Sequence, residues 1–146
     1  MFNPKEQIYN LWNQLRFMHQ NNVELTINGP DQSFMGDSKK LNVVSRAIIS
    51  NAINYQKDEG DSKITVDINI DDKKSLSISI TDNGEGIDKE VMPKIFDLFY
   101  RGNPKSNGAG IGLYIAKGIT ESMNGKLTLQ SEPKEFTRVD ISIPQQ

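Results

Sequence analysis

The feature that most constrains this chain is a two-residue alternation that recurs along it. Ile64, Val66, Ile68 and Ile70 alternate with Thr65, Asp67 and Asn69, and Leu76, Ile78 and Ile80 alternate with Ser77 and Ser79. Val23, Leu25 and Ile27 repeat the pattern, as do Leu127 and Leu129, and then Val139, Ile141 and Ile143. Residues two apart in a strand share a face, so every segment carries one apolar face and one polar face. Strands covered on both sides read instead as continuous apolar runs. The polar stretches Asp71-Asp72-Lys73-Lys74 and Glu132-Pro133-Lys134-Glu135 each join two such segments and predict hairpins. The pattern therefore predicts a two-layer α/β (α+β) sandwich: a mixed, mostly antiparallel sheet with helices on one face and water on the other.

Three helices are predicted to cover that sheet. Asn3-Pro4 reads as a cap and first helical residue, followed by Ile8, Leu11, Trp12, Leu15 and Met18 at helical spacing. Asp37 or Ser38 caps a second helix running to about Gln56, with Leu41, Val44, Ile48, Ala52 and Tyr55 as its apolar row. A third opens at Gly108-Ala109-Gly110-Ile111-Gly112-Leu113 and runs to about Asn124. Ile111, Ile115, Ile119 and Met123 are its expected buried row, and Gly125 its stop. Asp88 to Met92 predicts a short helix ended or kinked at Pro93.

The 146 residues suit a single domain, 1–146. A net charge of -2 gives no basic field for nucleic acid or an acidic membrane surface. The absence of cysteine excludes disulfides and thiolate-held metal, and fits a reducing compartment. No apolar run reaches the length of a membrane span, and Met1-Phe2-Asn3-Pro4-Lys5 is not the pattern of a signal peptide. The expectation is a monomeric, cytoplasmic domain that touches neither nucleic acid nor membrane.

The chemistry concentrates in a few stretches. In Asp82-Asn83-Gly84-Glu85-Gly86-Ile87, Asp82 continues the parity of Leu76, Ile78 and Ile80 and so arrives on the core side where the strand ends. A carboxylate there requires a hydrogen-bonding partner. It reads as a directional acceptor in an apolar pocket, for instance for the exocyclic amine of a purine; the plainer alternative is an Asp-Asn-Gly turn. Asn51 sits beside the apolar row of the second helix, four residues before Tyr55, so their side chains are neighbours. Ile95-Phe96-Asp97-Leu98-Phe99-Tyr100 is a compact apolar block, and Arg101 to Asn107 is a polar loop with cations at Arg101 and Lys105. The glycines from Gly108 expose N–H groups at a helix N-terminus, which suits phosphate. The P-loop pattern is missing, and so are the protein-kinase His-Arg-Asp and Asp-Phe-Gly motifs. The dinucleotide fingerprint fails because a polar loop precedes Gly108 and its sixth position is Leu113.

Four ordered stretches together resemble the catalytic ATP-binding domain of sensor histidine kinases, within the GHKL superfamily. Ser50 to Tyr55 resembles the N box, Asp82 to Ile87 the first glycine box, Ile95 to Tyr100 the F box, and Gly108 to Leu113 the second glycine box. The resemblance implies the Bergerat fold with ATP and Mg²⁺ as ligands. It implies that Asp82 accepts from the adenine amine, with Gly84, Gly86 and Ile87 of the same box at the nucleotide, and that Tyr55 lies against the base. Asn51 would bind Mg²⁺ bridging the phosphates. Tyr100 would join the site at the root of an ATP lid over residues 101–108, with Arg101 near the phosphates. Gly108, Gly110, Gly112 and Leu113 would bracket the phosphate path. No nucleophile or base of the reaction is implied within the chain. The implied partners are a histidine-containing dimerisation domain of the parent kinase and, indirectly, a response regulator.

Two positions depart from the pattern. Where the N box usually has a further asparagine there is Ala47, and where it usually has lysine before the tyrosine there is Asn54. Related gyrase, mismatch-repair and chaperone ATPases place at position 47 a glutamate that activates water; alanine has no base. His19, the only histidine, is followed by Gln20-Asn21-Asn22 rather than by the acidic residue of a phospho-acceptor motif, and reads as a solvated histidine near a helix end. Two functions stand open at this point: the kinase half that offers the γ-phosphate of MgATP to a separate histidine, and a degenerate module that holds nucleotide or only a partner protein without phosphotransfer.

Overall fold

A computed structural model of the chain describes residues 1–15, 23–57, 61–97 and 112–146. Helix α1 spans Pro4–Leu15, strand β1 Val23–Asn28, helix α2 Ser38–Asn54, strand β2 Ser62–Ile70 and strand β3 Leu76–Asp82. A single 3-10 turn follows at Met92–Lys94, then helix α3 at Gly112–Ser122, strand β4 at Lys126–Glu132 and strand β5 at Phe136–Ile143. The strands form one five-stranded sheet in the order β1-β2-β3-β5-β4. β1 runs parallel to β2, and all other pairs are antiparallel.

The expected alternation sets the layers. Ile64, Val66 and Ile68 of β2, Leu76, Ile78 and Ile80 of β3, and Val139, Ile141 and Ile143 of β5 are all buried in one core with Ile8, Leu11, Leu41, Val44, Ile48 and Ile49 of the helices. Threonine, serine and charged residues occupy the alternate positions. Burying these rows supplies the main driving force, about 1.5–3 kcal/mol for each large aliphatic side chain.

Local signals hold the ends of the elements. Asn3 Oδ1 accepts from the Lys5 and Glu6 N–H groups, capping α1, and Asp37 Oδ1 accepts from the Lys40 N–H at 3.0 Å, capping α2. Asp71 Oδ1 accepts from the N–H groups of Lys73 and Ser75, each at 2.9 Å, and closes the β2–β3 hairpin.

Four expectations change. The buried row of α3 is Leu113, Ala116, Thr120 and Met123, while Ile115 is exposed and Ile119 only half-buried. The reason is close packing: α3 lies mainly on α2 and only secondarily on β4, and the small Ala116 and Thr120, both fully buried, permit that approach. The left-handed residue after α3 is Asn124, with φ 61°, rather than Gly125. Gly125 is required for a different reason, since a Cβ there would stand 2.6 Å from the Ser142 carbonyl oxygen. Residues 88–91 make a hydrogen-bonded turn rather than a helix, and Pro93 lies inside the 3-10 turn that follows. Proline is tolerated there because the first turn uses no N–H of its own. The α2 helix ends at Asn54, two residues short of Gln56, where the Tyr55 N–H caps back to the Asn51 carbonyl.

Candidate functional site

Strand parity brings Asp82 into the core. It is the last residue of β3 and pairs with Ile64 of β2 on one side and Thr137 of β5 on the other. Asp82 is 7 % exposed, and the Gly84 N–H donates to its Oδ1 at 2.9 Å. Burial pushes its pKa up to about 6, against the lowering effect of the Gly84 hydrogen bond. A carboxylate kept in so dry a place is a group with unused accepting capacity.

The loop after Asp82 is tied to three elements. Asn83 secures it to β2, accepting from the Lys63 N–H at 2.8 Å and donating to the Asp61 carbonyl at 2.8 Å. The Glu85 N–H donates to the Tyr55 carbonyl at the end of α2 (2.9 Å), and the Lys134 N–H of the β4–β5 hairpin donates to the Glu85 carbonyl (2.6 Å). The Ile87 N–H donates to Ser131 Oγ on β4 at 2.7 Å. Both glycines are needed for this path. A Cβ on Gly84 would stand 2.4 Å from the Tyr55 carbonyl oxygen, and Gly86 has φ 70° with the Glu132 carbonyl oxygen 2.2 Å from its Cβ position. The turn geometry and the inward-facing Asp82 carboxylate thus belong to one structure.

Asp82 faces an enclosed pocket. α2 contributes Ile48, Asn51, Ala52 and Tyr55; the sheet contributes Ile80, Leu129, Thr137 and Val139. Ile87, Ile95 and Leu113 complete the wall. In this conformation the pocket holds about 30 Å³, space on the scale of one or two waters. A wider groove of about 600 Å³ lies between α1 and β1, against Tyr9, Trp12, Leu25 and Ile27. It contains none of the motif residues, so chemistry and not size selects the Asp82 pocket.

Asn51, Tyr55, Asp82, Ile87 and Leu113 are therefore brought together. Gly84 and Gly86 shape the loop instead of lining the pocket. Gly112 begins α3 and faces Ala47 of α2, whose Cβ is 3.9 Å from the Cβ position of Gly112. Tyr100, Arg101, Gly108 and Gly110, with Lys105, Met18, His19 and Ile111, lie outside the described residues. Sequence reasoning passed over Thr137, Val139, Leu129 and Ile95. The signal for Thr137 was present, since it shares the inward parity of Val139, Ile141 and Ile143.

Residues 36–146 match the family described as histidine kinase-, DNA gyrase B- and HSP90-like ATPases. The chain belongs to this ATPase family. Among curated relatives, the sensor histidine kinase WalK of Bacillus subtilis is 33 % identical over 131 residues, covering 86 % of this chain and 21 % of that protein. The histidine-protein kinase ArlS of Staphylococcus haemolyticus is 38 % identical over 97 residues, covering 64 % of this chain and 21 % of that protein. The chain thus spans about a fifth of the length of these relatives. In fold, the mycobacterial sensor histidine kinase MprB superposes with a TM-score of 0.83 at 21 % identity, covering 99 % of this chain and 97 % of that one. The catalytic domain of the histidine kinase ThkA gives 0.79 at 22 % identity, covering 99 % and 93 %. The mixed sheet with helices on one side is thus the histidine kinase ATPase fold, and this chain is a catalytic ATP-binding domain of that family. Among the described residues, no helix is long and apolar enough to cross a membrane.

Proposed function

We propose that this domain binds MgATP in the Asp82 pocket and offers the γ-phosphate to a histidine on a separate dimerisation domain of a parent sensor kinase, which then serves a response regulator. The observation that carries the reading is the buried carboxylate of Asp82, bonded to the Gly84 N–H, in the lining of a pocket built from the ATPase motifs. Asp82 accepts from the adenine amine. Ile48, Ile80 and Val139 supply apolar surface for the base, with Tyr55 against it. Leu113 at the start of α3 leads from the base toward the phosphates. Asn51 offers a hard carbonyl oxygen of the kind Mg²⁺ takes. Among the described residues no cluster of three His, Cys, Asp or Glu could hold a metal alone, which fits a magnesium held chiefly by phosphate oxygens and water. When bound, the ion neutralises phosphate charge during transfer. The domain's own work is to orient the nucleotide and keep water out. Such a domain belongs to the cytoplasmic part of a sensor.

Two measurements test this. Labelled MgATP mixed with the domain and the helical phospho-acceptor domain of its parent kinase is expected to give a labelled histidine. Binding without transfer favours the second reading, a nucleotide-holding module, for which Ala47 and Asn54 are the supporting positions. The isolated domain is expected to release phosphate far more slowly than about 1 s⁻¹, the low end of ordinary enzymes, because position 47 offers no base. Turnover near that rate points to a hydrolytic enzyme.

Affinity should also depend on pH. With a pKa of about 6 in the free pocket, Asp82 is mostly ionised at pH 7 and mostly protonated at pH 5. ATP binding is expected to weaken about tenfold over that interval and to level off above pH 7. Parallel titrations with adenosine remove the contribution of the γ-phosphate's own protonation. Tighter binding at pH 5 would mean that the protonated acid is the form that pairs with the base.

A further inference from the structure

The pocket wall carried by Ile95 has a weak attachment in the main chain. The main-chain hydrogen bonds described for residues 88–97 all stay within the segment: Val91 and Met92 to Asp88, Lys94 to Val91, Ile95 to Met92 and Asp97 to Lys94. Among the described residues, the contacts that join the segment to the body are made by side chains. Ile95 is 8 % exposed, and Phe96 packs against the edge of the core. Above the Phe96 ring stands the ammonium group of Lys117, 5.0 Å from the ring centre. Lys117 lies one helical turn after Leu113 on the same side of α3, and Leu113 lines the same pocket as Ile95. α3 thus touches the pocket through Leu113 and reaches the segment that carries Ile95 through Lys117.

We infer that Lys117 is a positioning residue for nucleotide binding: its cation holds the Phe96 ring against α3 and thereby keeps Ile95 in place as a pocket wall. The inference rests on the nucleotide reading of the Asp82 pocket for its consequence, though not for the contact itself. An ammonium over an aromatic face is attracted by the ring's negative centre, and a half-buried position weakens solvent competition. Loss of that attraction lowers the fraction of molecules with a formed wall, and apparent affinity falls by the same factor.

The test uses Lys117→Met, which keeps the stem and removes the charge, Lys117→Arg, which keeps a cation, Phe96→Leu, and the Lys117→Met/Phe96→Leu pair. Thermal melts establish that each is folded. In nucleotide-free protein, amide exchange at residues 95–97 is expected to quicken about two- to fivefold in Lys117→Met and to stay at the wild-type rate in Lys117→Arg. In calorimetric titrations Lys117→Met is expected to weaken ATP and ADP by one common factor of about two- to fivefold, Arg to restore both, and the double variant to lose no more than Phe96→Leu alone. Unchanged exchange in Lys117→Met overturns the inference. So does a loss greater for ATP than for ADP, which would place the ammonium on phosphate, or additive losses in the double variant. Wild-type protein that binds neither nucleotide would sink the nucleotide reading, while the exchange rates would still decide whether Lys117 holds the wall.

Discussion

An Asp82→Asn variant is expected to lose ATP affinity and gain stability together. The lost interaction is a charge-assisted hydrogen bond in a closed pocket, of about 1.5–3 kcal/mol, so affinity should fall roughly 10- to 150-fold. The gain follows from linkage. Asp82 titrates at about 6 in the folded chain against 3.8 for an ordinary aspartate, so the folded state holds the proton more tightly than the unfolded state. Its contribution to stability is fully present below 3.8, declines as pH rises, and is lost above about 6. At pH 7 the ionised group therefore costs about 3 kcal/mol. Asparagine carries no charge and keeps an oxygen for the Gly84 N–H, but brings two donors that need partners, which returns about 1–2 kcal/mol of the gain. Urea unfolding should show the variant about 1–2 kcal/mol more stable at pH 7, with the advantage gone near pH 4. Equal stability at both pH values would mean that the ionised carboxylate is fully satisfied. Unchanged ATP affinity in the folded variant would leave Asp82 as a turn residue alone.

Alanine at Gly86 should be the most damaging of three glycine substitutions. Gly86 has φ 70°, and its Cβ position lies 2.2 Å from the Glu132 carbonyl oxygen, which is backbone. A left-handed backbone costs an L-residue about 1–2 kcal/mol, and displacing the hairpin adds about 1–3 kcal/mol of overpacking. A total loss of about 2–5 kcal/mol is expected by the same unfolding assay. Gly84→Ala meets the Tyr55 carbonyl oxygen at 2.4 Å without a positive φ and should cost about 1–3 kcal/mol. Gly112→Ala meets only the Ala47 Cβ at an ordinary 3.9 Å, so its effect should stay within about 0.5 kcal/mol. Equal losses at all three positions would rule out close approach as the cause.

What could be read from the sequence was whatever has a short period or a local cap. The alternation of Leu76, Ile78 and Ile80 carried Asp82 to the inward side, and Asn3 and Asp37 marked helix starts because each completes its cap within three residues. What could not be read depended on partners far along the chain. Whether the row through Ile115 or the row through Ala116 turns inward is decided by α2, against which the small Ala116 and Thr120 pack closely. Thr137 becomes a neighbour of Asp82 only through the β3–β5 register. The path of residues 88–97 follows from Pro93 and from side-chain packing, neither of which has a period. Lys117 looks like any solvated helix cation until Phe96 is placed beneath it.

The order of the strands has a further consequence, for the time at which the site comes into being. β5 is the last strand in chain order, yet it lies between β3 and β4, with Thr137 beside Asp82. A chain emerging from the ribosome can close the β2–β3 hairpin early, because its two strands are adjacent in sequence. Until β5 arrives, however, β3 has an open edge on the side where Thr137 comes to stand beside Asp82. The lining of the pocket, to which β5 gives Thr137 and Val139, is thus complete only once the last strand of the sheet is in place.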